Sequence, residues 1–172
     1  MRKSFKIPFI VICLLIFVLP AFGDTGSRVF EHGGNFSYRP PLSWELGEFP
    51  GFKFKFIIGP IESGFGTNMN FVDESFNGGL QAYVAENLNA LETLFPDYKL
   101  VSRIPFTTHT NIQCERVVYE ISQYGFNLKA ATYFLPVSES KYIVATCMTV
   151  ASAFEKYLPI FDECLKTFEL ID

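Results

Sequence analysis

From Asn111 to Leu170 the chain has room for three strands and one helix and for almost nothing else. NIQCERVVYEISQ, FNLKAATYFLP and KYIVATCMTV are rich in β-branched and aromatic residues, and turn residues separate them. In the first strand Ile112, Cys114, Arg116, Val118 and Glu120 share one face, and Gln113, Glu115, Val117, Tyr119 and Ile121 share the other. Gly125 makes a hairpin turn into Phe126–Leu135, and the stretch Pro136 to Ser140 turns again into Tyr142–Val150. ASAFEKYLPIFDECLKTFEL then reads as an amphipathic helix burying Phe154, Tyr157, Leu158, Phe161, Leu165 and Phe168. Pro159 falls in its first third and either kinks it or marks its true start. Consecutive antiparallel strands capped by a helix confine the chain to a sheet packed against helices.

The upstream sequence adds to that sheet. Leu80, Tyr83, Val84, Leu88, Leu91, Leu94 and Phe95 recur at helical spacing, and Pro96 ends the pattern. Phe52 to Ile58 alternates with period two and predicts a strand with Phe52, Phe54 and Phe56 on one face. Gly59 to Gly66 reads as a glycine-rich loop, without the Lys-Ser/Thr of a phosphate-binding loop. Tyr98 to Thr107 is extended, and Pro105 marks an edge strand or a bend. Trp44 reads as a plug beneath the Pro40-Pro41 turn. The expected fold is one α/β domain, a twisted antiparallel sheet of about five or six strands with the two long helices on its faces.

The N-terminus has the three-part layout of a secretory leader. Arg2, Lys3 and Lys6 are followed by an uncharged run from Ile7 to Leu19, then Pro20 and a small-residue cut site after Gly23. The run is shorter than the ~20 residues a membrane-spanning helix needs. Residues 1–23 are therefore expected to be removed, leaving one domain over 24–172, exported to the periplasm or secreted, with no stable membrane insertion. Cys13 follows Ile12, which is not the small residue that lipoprotein attachment requires. Three of the 14 basic residues leave with the leader, so 11 face 18 acidic ones, a net charge of −7 (11 − 18). Dispersed acidity of this kind disfavours nucleic acid and anionic lipid as partners. Cys114, Cys147 and Cys164 remain, an odd number. A helix folding back on the last strand brings Cys147 and Cys164 near enough for a bridge to be an open question; the alternative is buried thiols.

Several ordered pieces resemble the PsbP-like superfamily, which includes the PsbP subunit of photosystem II, the periplasmic DcrB proteins and a nuclear Ran-binding protein. They are Phe36-Ser37-Tyr38 with Pro41 and Trp44, Asn68-Met69-Asn70-Phe71, Tyr119, Tyr133-Phe134-Leu135, Tyr142 to Cys147, and Phe154, Tyr157, Phe161 and Leu165 to Phe168. The resemblance implies a central antiparallel sheet with helices on both faces, an α/β/α sandwich, and binding or assembly roles without a shared catalytic set. The domain is expected to start almost directly after the leader, without the long N-terminal arm of plant PsbP. An exported chain is also out of reach of a nuclear Ran-binding role.

Chemistry-bearing residues are sparse. His32 and His109 have no ligand partners at short spacing and read as solvated turn residues. Cys114 with His109 lacks the electropositive setting a reactive thiol needs, apart from Arg116. Asp73-Glu74 and Asp162-Glu163 read as solvated acids, the first pair on opposite faces of a strand. No metal, cofactor or catalytic set is expected, so the leading expectation is a non-enzymatic binding or assembly factor with an unidentified envelope protein as partner. Its contact surface is expected at Trp44 to Phe52 and at the loop from Gly59 to Thr67, with Phe65 exposed at the tip. Arg103, Arg116 and Glu120 read first as a structural ion pair on a covered sheet face; the competing expectation is a small-ligand site around them, since an Arg fork on a strand holds a carboxylate or phosphate.

Overall fold

The computed structural model describes residues 25–171. The expected leader and its cut after Gly23 lie outside the described residues. Ten strands and two helices follow one another as β1 (Val29–Glu31), β2 (Phe36–Tyr38), β3 (Glu45–Gly47), β4 (Phe56–Glu62), β5 (Phe65–Ser75), α1 (Gly79–Leu94), β6 (Lys99–Thr107), β7 (Gln113–Gln123), β8 (Phe126–Ser138), β9 (Lys141–Val150), α2 (Phe154–Lys166) and β10 (Glu169–Leu170). A single 3-10 turn, Ala151–Ala153, leads into α2. Seven strands form one antiparallel sheet in the order β3-β4-β5-β9-β8-β7-β6, two more than the lower sequence expectation. A separate three-stranded sheet, β1-β2-β10, joins the two ends of the domain.

The buried side chains divide into two clusters. Tyr157, Phe161, Cys164 and Leu165 of α2 pack with Cys114, Val118, Ala131, Tyr133, Ala145 and Cys147. Tyr83 and Val84 of α1 pack with Val117, Tyr119, Ala130, Phe134, Tyr142 and Val144. Val117 and Val118 therefore serve different clusters, as the period-two geometry of a strand requires. The first cluster also holds the small sheet. Phe36 meets Tyr38, Phe54, Phe71 and Phe168 with ring centroids 5.0 to 6.1 Å apart.

The structure corrects several boundaries. The strand expected over Phe52–Ile58 begins only at Phe56 and runs on to Glu62. Its three phenylalanines do not share a face: Phe54 is buried against Phe36, whereas Phe52 is exposed and meets Phe56 edge-on at 5.2 Å. The expected Gly59–Gly66 loop is instead a hairpin joining β4 to β5. Its turn is Ser63-Gly64, both with positive φ, the same combination as at Tyr124-Gly125 between β7 and β8. Gly59 sits within β4 because the indole of Trp44 lies on it; a Cβ there would stand 2.7 Å from the ring. Trp44 itself is half-buried and faces Tyr157 and Phe161 edge-on. Strand β8 runs through Pro136 to Ser138 with a register shift, shortening the expected turn. Leu94, expected in the buried stripe of α1, is 70% exposed because the helix ends there. Pro159 lies inside α2, which begins five residues earlier than it. Strand β6, with Pro105 in it, is indeed the sheet edge.

Candidate functional site

The expected ligand site does not assemble. Arg116 on β7 reaches α2, where its Nη1 donates to Asp162. Tyr133 Oη donates to the other oxygen of the same carboxylate at 2.6 Å. Burial works against the Arg116 charge, but the hydrogen bond and charge of Asp162 more than offset it and hold its pKa above the ordinary guanidinium value. Arg103 is paired on the α1 side with the buried Glu115, and Gln81 of α1 bridges both. Glu120 pairs with Lys99 at 3.3 Å and Lys129 at 3.9 Å. The three side chains thus point to three different partners. The hollow beside Arg103 is about 270 Å³ and does not include Arg116. With its Nη1 on an intramolecular carboxylate and its Nε enclosed without a hydrogen-bond partner, Arg116 is structural. Asp162, read from sequence as solvated, is the residue that was missed; its place on α2 one position after Phe161 and three before Leu165 was the available signal.

Two parts of the expected contact surface are also corrected. Phe65 is half-buried and packs edge-on with Phe126 at 5.5 Å, so it is not an exposed tip. Thr67 is fully buried and shares a 2.8 Å hydrogen bond with Thr149. Both belong to β5, and Phe65 pairs with Glu62 of β4 at the hairpin end. The Trp44–Phe52 portion stays accessible: Leu46, Phe49 and Phe52 are each a little over two-fifths exposed. Phe49 and Phe52 both lean on Phe56, at 5.1 and 5.2 Å. They flank β3, the short strand at the other edge of the sheet.

The three cysteines among the described residues, Cys114, Cys147 and Cys164, are free and buried. No Cys147–Cys164 bridge forms; both sulfurs fill the aromatic core between β9 and α2 as small apolar groups. Burial pushes the Cys114 thiol up to about 12, with Glu115 adding to the effect, and its Sγ donates to the Phe106 carbonyl. Burial likewise raises Cys147 and Cys164. The sign of the pH effect follows. Above the ordinary thiol value of 9.0 the unfolded chain loses a proton that the folded chain keeps. Stability from this group therefore falls with rising pH from about 9 until Cys114 ionises in the fold near 12. Three thiols should be silent to Ellman's reagent in the native mature chain at pH 8 and all react after unfolding in denaturant. Recovery of one thiol alone would mean that two are bridged.

His32 and His109 are exposed, and His32 stacks on Phe30. Asp73 binds Lys53 while Glu74 accepts from Tyr83 of α1, so these acids do face opposite ways and are paired rather than free in water. Among the described residues no group of three or more His, Cys, Asp or Glu side chains is placed to hold a metal.

No protein-family model and no curated protein matches the sequence. Solved structures do match. The cyanobacterial PsbP protein CyanoP of Synechocystis superposes with a TM-score of 0.62 at 10% identity, over 84% of this chain and 91% of that one. The fold is PsbP-like. LpqN of Mycobacterium tuberculosis, described as involved in cell envelope biogenesis, matches with a TM-score of 0.62 at 12% identity, over 87% of each chain. The Ran-binding protein Mog1p of Saccharomyces cerevisiae matches at 0.56 and 12%, over 87% of this chain and 97% of that one. Likeness at these identities carries the fold and not the role.

Proposed function

We propose that the chain is an exported, non-enzymatic binding or assembly protein of the cell envelope, cut after Gly23 and working outside the cytoplasmic membrane as residues 24–172. The observation that carries the reading is the likeness in fold to LpqN, a protein involved in envelope biogenesis, across most of both chains. The division of the core supports an α/β/α sandwich, with α1 and α2 on opposite faces of the sheet. Among the described residues no helix is long and apolar enough to cross a membrane.

The partner is an envelope protein that presents an extended segment with apolar side chains. Strand β3 ends the sheet with its outer backbone groups unpaired by any strand among the described residues, and Leu46, Phe49 and Phe52 stand beside it. An edge of this kind accepts an added strand, and alternate side chains of that strand find the aromatic groups. N-terminal sequencing of the protein from cell fractions tests the export step. The expected result is a chain beginning at Asp24 in the periplasmic or secreted fraction; intact Met1 in the membrane fraction would overturn it.

A further inference from the structure

A hollow of about 560 Å³ lies between the segment from Glu48 to Lys55 and the end of β1. It is not near Arg116. Its size is in the range of small-ligand sites. Glu31, the last residue of β1, lines it and is only 8% exposed. One oxygen of that carboxylate accepts from Tyr38 Oη at 3.4 Å and from the Lys55 backbone N–H at 3.2 Å. The other oxygen accepts no hydrogen bond, and no cation pairs with Glu31, among the described residues. That second oxygen is not enclosed: it opens to the hollow, where it can accept from a charged donor. The nearby lysines do not supply one. Lys53 is bound to Asp73 with its ammonium over the Phe54 ring. Lys55 gives Glu31 its backbone N–H and no ion pair.

The remaining lining says what is missing. Glu48 adds a second carboxylate at the rim, and Phe49, Phe52 and Phe54 form the walls. Two carboxylates cannot satisfy a calcium ion, which takes six to eight oxygens. Aromatic walls around a carboxylate suit an organic cation, whose charge meets the acid while its stem covers the rings. We infer that the Glu31 hollow is a binding site for an alkyl- or arylalkyl-ammonium group, with Glu31 as the anchoring acid, Glu48 as the rim acid and Phe49 and Phe52 as the apolar walls. The same group is carried by a free small amine and by a lysine side chain of a partner segment lying along β3.

Chemical-shift titration of the 15N-labelled mature protein tests this with phenethylammonium, phenethyl alcohol and phenylacetate. The ammonium compound should bind tightest of the three, with shifts confined to Glu31 and the segment from Glu48 to Lys55. The alcohol should bind weaker by about tenfold or more, since the charge-assisted bond is lost. Glu31→Gln keeps an oxygen for Tyr38 and Lys55 and should weaken the ammonium by a similar factor. Glu48→Gln, at the exposed rim, should weaken it less and serves if the Glu31 variant does not fold. A short apolar peptide with a central Lys, against the same peptide with norleucine, separates the two sources: saturation by the peptide alone assigns the site to a partner lysine, and saturation by the free amine assigns it to a small molecule. Absence of binding by both ammonium probes, equal binding of the three small probes, or unchanged affinity in both variants would overturn the assignment.

Discussion

Replacing Phe36 by alanine should lower the free energy of unfolding by about 4 kcal/mol, the cost typical of deleting a fully buried aromatic side chain. Phe36 has no exposed surface and touches four rings from four parts of the chain: Tyr38 of β2, Phe54 before β4, Phe71 of β5 and Phe168 before β10. It is the side chain that fastens the small sheet to the large one, so the hole cannot collapse without moving both. Denaturant unfolding monitored by Trp44 fluorescence measures the loss. Leu94→Ala is the control, because that side chain stands in water at the end of α1 and should change stability by less than about 0.5 kcal/mol.

The second large effect is at the Arg116–Asp162 pair. Asp162→Ala should cost about 3 kcal/mol, because it leaves a guanidinium largely enclosed without its counter-charge and removes the acceptor of Tyr133. Taking out the whole polar unit is a different experiment. The triple variant Arg116→Met, Tyr133→Phe, Asp162→Leu leaves no stranded charge or hydroxyl and should recover most of that loss. Thermal unfolding of the two variants separates a structural pair from a ligand site: a single variant as stable as the parent would mean that Arg116 is not held by Asp162. The same comparison explains why Arg116 is poor ground for a ligand. Its Nη1 is held by Asp162 from within the fold.

The features that were legible in the sequence are those that local periodicity encodes. The β7–β8–β9 succession, α2 and the edge position of Pro105 all follow from alternation, turn residues and proline chemistry over short stretches. What was not legible depends on partners far away in sequence. Phe52, Phe54 and Phe56 alternate as a strand would, yet each finds a different neighbour, and pairing with β5 starts only at Ile57. Ser63-Gly64 carries a hairpin signal that the surrounding glycines obscured, and Gly59 is small because Trp44, fifteen residues before it, lies on the strand. Asp162 is ordinary on its own helix and is explained by Arg116 of β7, forty-six residues upstream, and Tyr133 of β8, twenty-nine residues upstream. Glu31 gives even less warning: a lone acid in a three-residue strand, whose burial is produced by Tyr38 and by the later segment that closes over it. Side chains that bind across sheets are set by register, and register is the part of the fold that periodicity leaves open.

The proposed role is to hold an envelope partner at the β3 edge. Site-specific photo-crosslinking in intact cells tests it most directly, with a photoreactive phenylalanine analogue at Phe52, at Phe49 and, as a control, at the exposed Leu94. One discrete adduct of the same mass is expected from Phe49 and Phe52 and none from Leu94. No adduct from either aromatic position, or the same adducts from all three, would contradict it.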